Sequence, residues 1–273
     1  MQIHETAFIV STYRSYHEDV SRDPYAKLWN NSKTEALIPS IVETISPYEA
    51  ILHSIRNRFF YEELKDFFTK NKGGILINFG AGFSMYQFLL DKNVTTIEID
   101  KGDILDYKKN KIEKWIEHGE LPQRRIEYLP VDFNTSSEDE IIKKIKPLIN
   151  KRPVFILLEG VLFFLSLAVT NKLFRVFGHL QKTGDVIGSV SYTPDIESTD
   201  VYKRLLNYFD SHNDKNDSFN HQTLTHQFYE NIDGYELITF KDEFTLLQKY
   251  APQISVNSKY DILNEHLYLL KKI

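Results

Sequence analysis

Gly80-Ala81-Gly82 follows directly on the apolar run Ile75-Leu76-Ile77-Asn78-Phe79. A Gly-x-Gly turn after a buried strand lets backbone come close to a ligand. A helix resuming behind it, over 83–90, would add unpaired N–H groups and the positive end of a dipole. That combination is a nucleotide-type site. A dinucleotide fingerprint places a third small residue where this chain has Met85, so the turn also reads as a tight strand-to-helix connection with no ligand. Asp100 stands 20 residues beyond Gly80, at the end of a second strand, where a carboxylate can accept both hydroxyls of a ribose. Alternatively it caps the helix that begins after Lys101-Gly102-Asp103. Glu98, two residues earlier, shares its side of the strand.

Asp132-Phe133 closes a third strand, where an acid and an aromatic face could hold the amine and the ring of an adenine. Followed by Asn134-Thr135-Ser136, the same Asp also suits a solvated turn. Glu159 lies between Leu158 and Val161-Leu162-Phe163-Phe164. A carboxylate is costly to bury there without a partner, and at the carboxyl end of a fourth strand it would face a ligand crevice. Arg56 and Arg58 are two apart on one helix and cannot share a face. One could reach a ligand carboxylate, and Arg58 reads as the surface residue. His53 and Tyr192 are candidates for proton handling if they face the cleft. No His-Glu-x-x-His, carboxylate cluster, Gly-x-Ser-x-Gly elbow or Gly-Lys-Ser/Thr loop occurs, so metal, serine-hydrolase and NTPase chemistry lose support.

The elements that must position these residues alternate. Up to about Lys70 the chain reads as helical, punctuated by Pro24, Pro39 and Pro47, with Tyr48, Leu52, Ile55 and Phe59 on one stripe. Gly73-Gly74 ends that pattern. Strands are expected over 75–79, 94–100, 126–131, 154–158 and 185–191, separated by helices over 83–90, 106–118, 137–150 and 167–181. This is the signature of an α/β, doubly wound, mostly parallel sheet. A helix over 200–209 and possible closing strands at 237–240 and 267–270 follow. The expected organisation is a helical N-terminal lid over 1–70 and a core over 71–273. An acceptor-side insertion over about 194–230 completes one compact domain.

With 33 Lys+Arg against 38 Asp+Glu, the net charge of −5 argues against a nucleic-acid partner. The 42% hydrophobic content belongs to a folding chain. The absence of cysteine excludes a disulfide scaffold and a thiol nucleophile. The first ten residues do not resemble a signal peptide, and the most apolar run, 154–169, is interrupted by Glu159 and Gly160. No membrane partner and a cytoplasmic location are therefore expected. The 16 Tyr and 19 Phe would mostly be core, and an aromatic pocket would suit a planar substrate or a sulfonium.

In order and spacing, four blocks resemble the leucine carboxyl methyltransferase-like family, which includes bacterial polyketide O-methyltransferases of the tetracenomycin type. They are Ile77–Phe83, Ile97–Asp100, Val131–Phe133 and Leu158–Leu165. Thr6-Ala7 through Arg14 to Asp23-Pro24-Tyr25-Ala26, and Arg56 through Glu62, fit as well. The resemblance implies a class I, Rossmann-like methyltransferase using S-adenosylmethionine, with a helical lid and an antiparallel last strand. By position it implies Arg56 on the methionyl carboxylate and Gly80, Ala81 and Gly82 on the methionine part. Asp100 would hold the ribose, Asp132 and Phe133 the adenine, and Glu159 would lie beside the cofactor, with Arg14 a further lid residue. The expected reaction is in-line methyl transfer to a hydroxyl or carboxyl group of a small-molecule acceptor. A protein carboxyl acceptor and a non-catalytic S-adenosylmethionine binder are the alternatives. The chain departs from the family where Asp-Thr-Arg is common and Ser84-Met85-Tyr86 stand here, removing an internal ion pair. Phe164 replaces a Tyr.

Overall fold

Five short apolar runs form the parallel part of one sheet: β1 (Ile75–Phe79), β2 (Thr95–Asp100), β3 (Arg125–Pro130), β4 (Val154–Leu158) and β5 (Val186–Ser191). A computed structural model describes residues 3–212 and 221–273. Two further strands, β6 (Tyr235–Asp242) and β7 (His266–Lys272), pair antiparallel, and the seven strands run in the order β3-β2-β1-β4-β5-β7-β6. β1 and β4 are buried at every position, as strands covered on both faces must be. Edge strand β3 has only exposed and part-buried residues. The direction of winding reverses between β1 and β4, which leaves a crevice at their carboxyl ends. The doubly wound α/β fold and the antiparallel closing strand are as the sequence leads one to expect.

One face of the sheet is covered by α1 (Ile3–Tyr16), α2 (Glu18–Ser21), α3 (Ser32–Thr44) and α4 (Glu49–Lys70). Its apolar core runs from Leu52, Ile55 and Phe60 to Phe155 and Leu157. Gly188 in β5 lets α4 approach, since a Cβ there would lie 2.9 Å from Phe155 and 3.1 Å from Phe60. The other face is covered by α7 (Glu138–Ile149), α8 (Leu167–Leu180) and α10 (His226–Glu230). Ser137 opens α7 with a reciprocal capping box to Glu140. α9 (Asp200–His212) and α11 (Glu243–Tyr250) complete the helix-α4 side.

Three boundaries differ from the sequence expectation. The helix expected over 83–90 is only the single turn α5 (Tyr86–Leu89). Phe83, Met85 and Phe88 are drawn into a cluster with Trp29 and Ile112, and the Ser84 hydroxyl takes the Ala81 carbonyl instead of leaving it to a helix. The long dipole expected behind the glycine turn is therefore not built. α6 (Gly102–Glu117) begins at Gly102, four residues before the expected start at Asp106. Pro39 lies inside α3 rather than ending it. The buried Ile38 and Ile41 hold that helix across the missing hydrogen bond. The Asp/Asn patch at 212–217 falls, from residue 213 onward, outside the described residues, as does part of the 194–230 stretch.

Candidate functional site

At the ends of β1 and β2 the turn is fixed by backbone. The N–H groups of Gly80 and Ala81 both donate to the Ile99 carbonyl, at 2.7 and 3.1 Å. Gly80 has φ of +68°, and a Cβ on it would fall 2.1 Å from Val161. Only glycine meets both conditions. Asp100 turns back toward this elbow, its Oδ2 accepting from Gly82 N–H at 2.9 Å and its Oδ1 from Lys101 N–H at 2.8 Å. Burial raises the Asp100 carboxyl above its usual range, opposed by those two donors. It does not cap α6 with its side chain: the cap position is Lys101. Glu98 takes a different course, fully buried with its Oε2 2.6 Å from Lys108 Nζ. Lys108 also donates to the Ala81 carbonyl at 3.3 Å. An ion pair thus supports the turn from below, although the common acidic and basic residues of the Ser84-Met85-Tyr86 block are missing.

The ends of β3 and β4 supply the rest of the floor. Asp132 Oδ1 accepts from Asn134 N–H at 2.9 Å, a turn as well as a cavity wall, and Phe133 lies beside it. Glu159 is buried with partners: Arg56 Nε donates to its Oε1 at 2.9 Å and the Tyr86 hydroxyl to its Oε2 at 2.6 Å. Arg56 Nη1 meanwhile holds both oxygens of Glu265, at 2.8 and 2.7 Å. Burial disfavours the guanidinium charge, yet Glu265, Glu159 and Glu243 hold Arg56 protonated well beyond neutral pH. Its Nη2 edge is turned toward Gly160, where a Cβ would sit 3.6 Å away. Arg58, as its place on the helix suggests, points elsewhere and pairs with Glu62 at 2.6 Å.

A single cavity joins these groups. It is lined on the floor by Gly80, Ala81, Gly82, Asp100, Asp132 and Phe133, and at its centre by Arg56, Glu159 and Gly160. Its roof is apolar and aromatic: Ile9, Ile41 and Ile45, then Phe163, Tyr192 and Leu205. All eight residues singled out for cofactor contact line it, together with His53, Tyr192 and Arg14. Arg14 is held by Asp23 at 3.2 Å and by the Phe83 carbonyl at 3.0 Å, tying α1 to the turn. The His53 Nδ1 lies 2.9 Å from the Glu49 carbonyl, and burial followed by Arg56 keeps its ring neutral. Tyr192 is buried against Phe163, and burial pushes its hydroxyl pKa well up.

Four participants escape the sequence reading. Tyr86 belongs to the departing block and nevertheless reaches Glu159. Glu265 stands just ahead of β7 and comes to Arg56 from 209 residues away. Glu49 lines the cavity four residues before His53, a spacing of helical neighbours that could have marked it. Lys108 sits among Lys109, Lys111 and Lys114 on a charged helix and carries no distinguishing signal. Among the described residues no group of three or more His, Asp or Glu is placed to hold a metal ion. No helix among them is long and apolar enough to cross a membrane.

The leucine carboxyl methyltransferase family model matches residues 9–178. No curated protein matches the chain. Among solved structures, it is similar to a candidate methyltransferase from Thermobifida fusca, with a TM-score of 0.61 and 13% identity over 93% of this chain and 94% of that one. A DUF574 family protein from Streptomyces avermitilis gives a TM-score of 0.61 and 12% identity over 96% and 97%. An S-adenosylmethionine-dependent methyltransferase from Anabaena variabilis gives 0.50 and 12% over 78% and 84%. At these identities the likenesses speak to the fold.

Proposed function

Since the chain belongs to the leucine carboxyl methyltransferase family and is an S-adenosylmethionine-dependent methyltransferase, we propose that it methylates a hydroxyl or carboxyl oxygen of a small-molecule acceptor. The observation that carries this reading is the single cavity joining the strand-end acids to an aromatic chamber under α1, α3 and α9. A concave, helix-roofed chamber lined by aromatic and aliphatic side chains suits a small planar acceptor.

The residues present fit the cofactor. The Gly80–Gly82 elbow brings backbone to the cavity wall, and Asp100 keeps lone pairs beyond those used by Gly82 and Lys101. Asp100 would hold the ribose, Asp132 and Phe133 would border the adenine, and the Nη2 edge of Arg56 would take the methionyl carboxylate with Glu159 alongside. When bound, the cofactor supplies an electrophilic methyl group on a sulfonium, open to in-line attack. The chain's own contribution is orientation and water exclusion: α1 and α3 close over the floor, and the aromatic roof holds the acceptor against it. Arg56, locked between Glu159 and Glu265, gives a rigid origin for that geometry.

Isothermal titration with S-adenosylmethionine tests the assignment of the floor. Saturable binding that weakens at least tenfold in Asp100→Ala is expected, and an unchanged affinity would overturn it. Release of labelled methyl groups onto phenolic and carboxylic acceptors tests the reaction. Tight cofactor binding with no transfer to either class would favour a non-catalytic binder.

A further inference from the structure

Glu49, His53 and Arg56 stand at i, i+4 and i+7 of α4, so one helical face is turned into the cavity, and all three residues line it. Seven residues of helix span about 10 Å, which carries Glu49 from the Arg56 and Gly160 end to the aromatic chamber. The Glu49 side chain is 6% exposed as a residue, and its Oε1 has no hydrogen-bond partner. Tyr13, from α1, lines the same cavity, and its buried hydroxyl also has no partner. Buried polar atoms are rarely left so without a ligand or water to meet them.

The charges around Glu49 decide what can meet it. Glu265, ahead of β7, and Glu243, on α11, are both fully buried carboxyl groups on the same side. Arg56 is committed to Glu159 and Glu265, and Arg14 to Asp23 and the Phe83 carbonyl. Among the described residues around Glu49, an entering anion meets three carboxyl groups, and the two arginines lining the cavity are already paired. A hydroxyl meets in Glu49 Oε1 an acceptor that no protein group satisfies. Resting on the methyltransferase reading above, we propose that the acceptor presents a hydroxyl to Glu49, whose Oε1 receives the hydroxyl proton, and that carboxylate acceptors are refused. The acceptor oxygen gains the methyl carbon, the electron pair of the broken carbon–sulfur bond stays on sulfur, and the proton moves to Glu49.

Burial, reinforced by Glu265 and opposed by Arg56 and Ser46, pushes the Glu49 carboxyl up to about 8. The other titratable groups on this part of the cavity include Tyr13 from α1, His53 on its own helix, Tyr192 beyond β5, Tyr208 from α9, His221 and, behind the wall, Glu243 from α11. A base so raised is better matched to a phenolic proton than an ordinary carboxylate. It acts only when ionised, so turnover rises as pH passes through about 8.

Two flat aromatic probes of one shape, 2-naphthol and 2-naphthoate, separate the possibilities when titrated into protein saturated with S-adenosylhomocysteine at pH 8. The wild type is expected to bind 2-naphthol at least tenfold more tightly than 2-naphthoate. Glu49→Gln, which keeps shape and removes charge, is expected to narrow that ratio at least fivefold. With S-adenosylmethionine, labelled methyl transfer to 2-naphthol should rise through pH 8. Its kcat should fall at least 100-fold in Glu49→Gln with KM within threefold, and recover in part in Glu49→Asp. Equal or tighter binding of 2-naphthoate, no binding of 2-naphthol, an unchanged ratio in Glu49→Gln, or kcat in that variant within threefold of wild type would overturn the proposal. S-adenosylhomocysteine should bind wild type and variants alike. Its failure to bind the wild type would strike the cofactor site itself, a result distinct from lost selectivity on an intact cofactor complex.

Discussion

The floor of the cavity consists of strand ends whose polar groups are satisfied close by in sequence, whereas its centre and roof are assembled from segments that meet only in three dimensions. Asp132 bonds two residues away and Asp100 reaches Gly82 across 18. Arg56 reaches Glu159 across 103 residues and Glu265 across 209. The floor is a property of the sheet and exists once β1 to β4 are paired. The centre depends on α4 docking on that sheet and on β7 closing its far side. A substitution in the floor should therefore act mainly on the ligand, and one in the centre on ligand and fold together.

The largest expected effect is at the centre. Arg56→Ala leaves Glu159 and Glu265 buried beside each other without a cation, and breaking such a pair typically costs about 3–5 kcal/mol. Urea unfolding should show that loss, and S-adenosylmethionine affinity should fall at least 100-fold. Arg56→Lys should recover little of either, because one ammonium cannot serve two carboxylates in forked geometry. A stable Arg56→Ala protein would break the contrast between centre and floor.

Next comes the Glu98–Lys108 pair, the one charged part of the floor hidden from the cavity. Lys108→Met should destabilise by about 3 kcal/mol, as an unpaired buried carboxylate does. Burial already raises the Glu98 carboxyl despite Lys108, so the single variant should also stabilise with falling pH. Adding Glu98→Gln should recover most of the loss. Equal instability of the single and double variants would mean that Lys108 acts through the Ala81 carbonyl instead.

Glu49 gives a change of the opposite sign. Its carboxyl is raised to about 8 in the fold and titrates near 4.3 when unfolded. The folded state therefore keeps a proton that the unfolded chain has lost, and stability falls as pH rises from about 4 to about 8. Glu49→Gln does not suffer this decline. Relative to wild type it should gain on the order of 3 kcal/mol between pH 5 and pH 8, read from denaturation midpoints at the two pH values. The smallest effect is expected for Asp100→Asn. Cofactor affinity should drop about tenfold, or ~1.4 kcal/mol, with little change in unfolding, because an amide oxygen can still accept from Gly82 and Lys101. A larger loss in stability than in binding there would erase the distinction drawn for the floor.

The same contrast explains what could be read from the sequence. Strands β1, β2, β4 and β5, the glycine elbow and the acids at strand ends are local patterns, so Gly80, Asp100, Phe133 and Glu159 were legible by type and spacing. The partner of Glu159 was legible only as a requirement, since burying a carboxylate needs one. That Arg56 and Tyr86 meet it is a tertiary fact. Glu265 lies beside Asn264 and His266 in a segment with no motif, and only the antiparallel insertion of β7 beside β5 brings it to Arg56. The helix expected over 83–90 failed for a related reason. Its apolar spacing is real, but Phe83, Met85 and Phe88 serve a cluster with Trp29 rather than a helical face.

A crystal structure with S-adenosylhomocysteine would test most directly whether floor and centre form one site. The expected result places the ribose hydroxyls on Asp100, the adenine against Phe133, the amino-acid carboxylate within hydrogen-bond reach of Arg56 Nη2 and the sulfur facing the chamber below Glu49. A ligand bound elsewhere, or seated with its ribose away from Asp100 and its carboxylate away from Arg56, would contradict it.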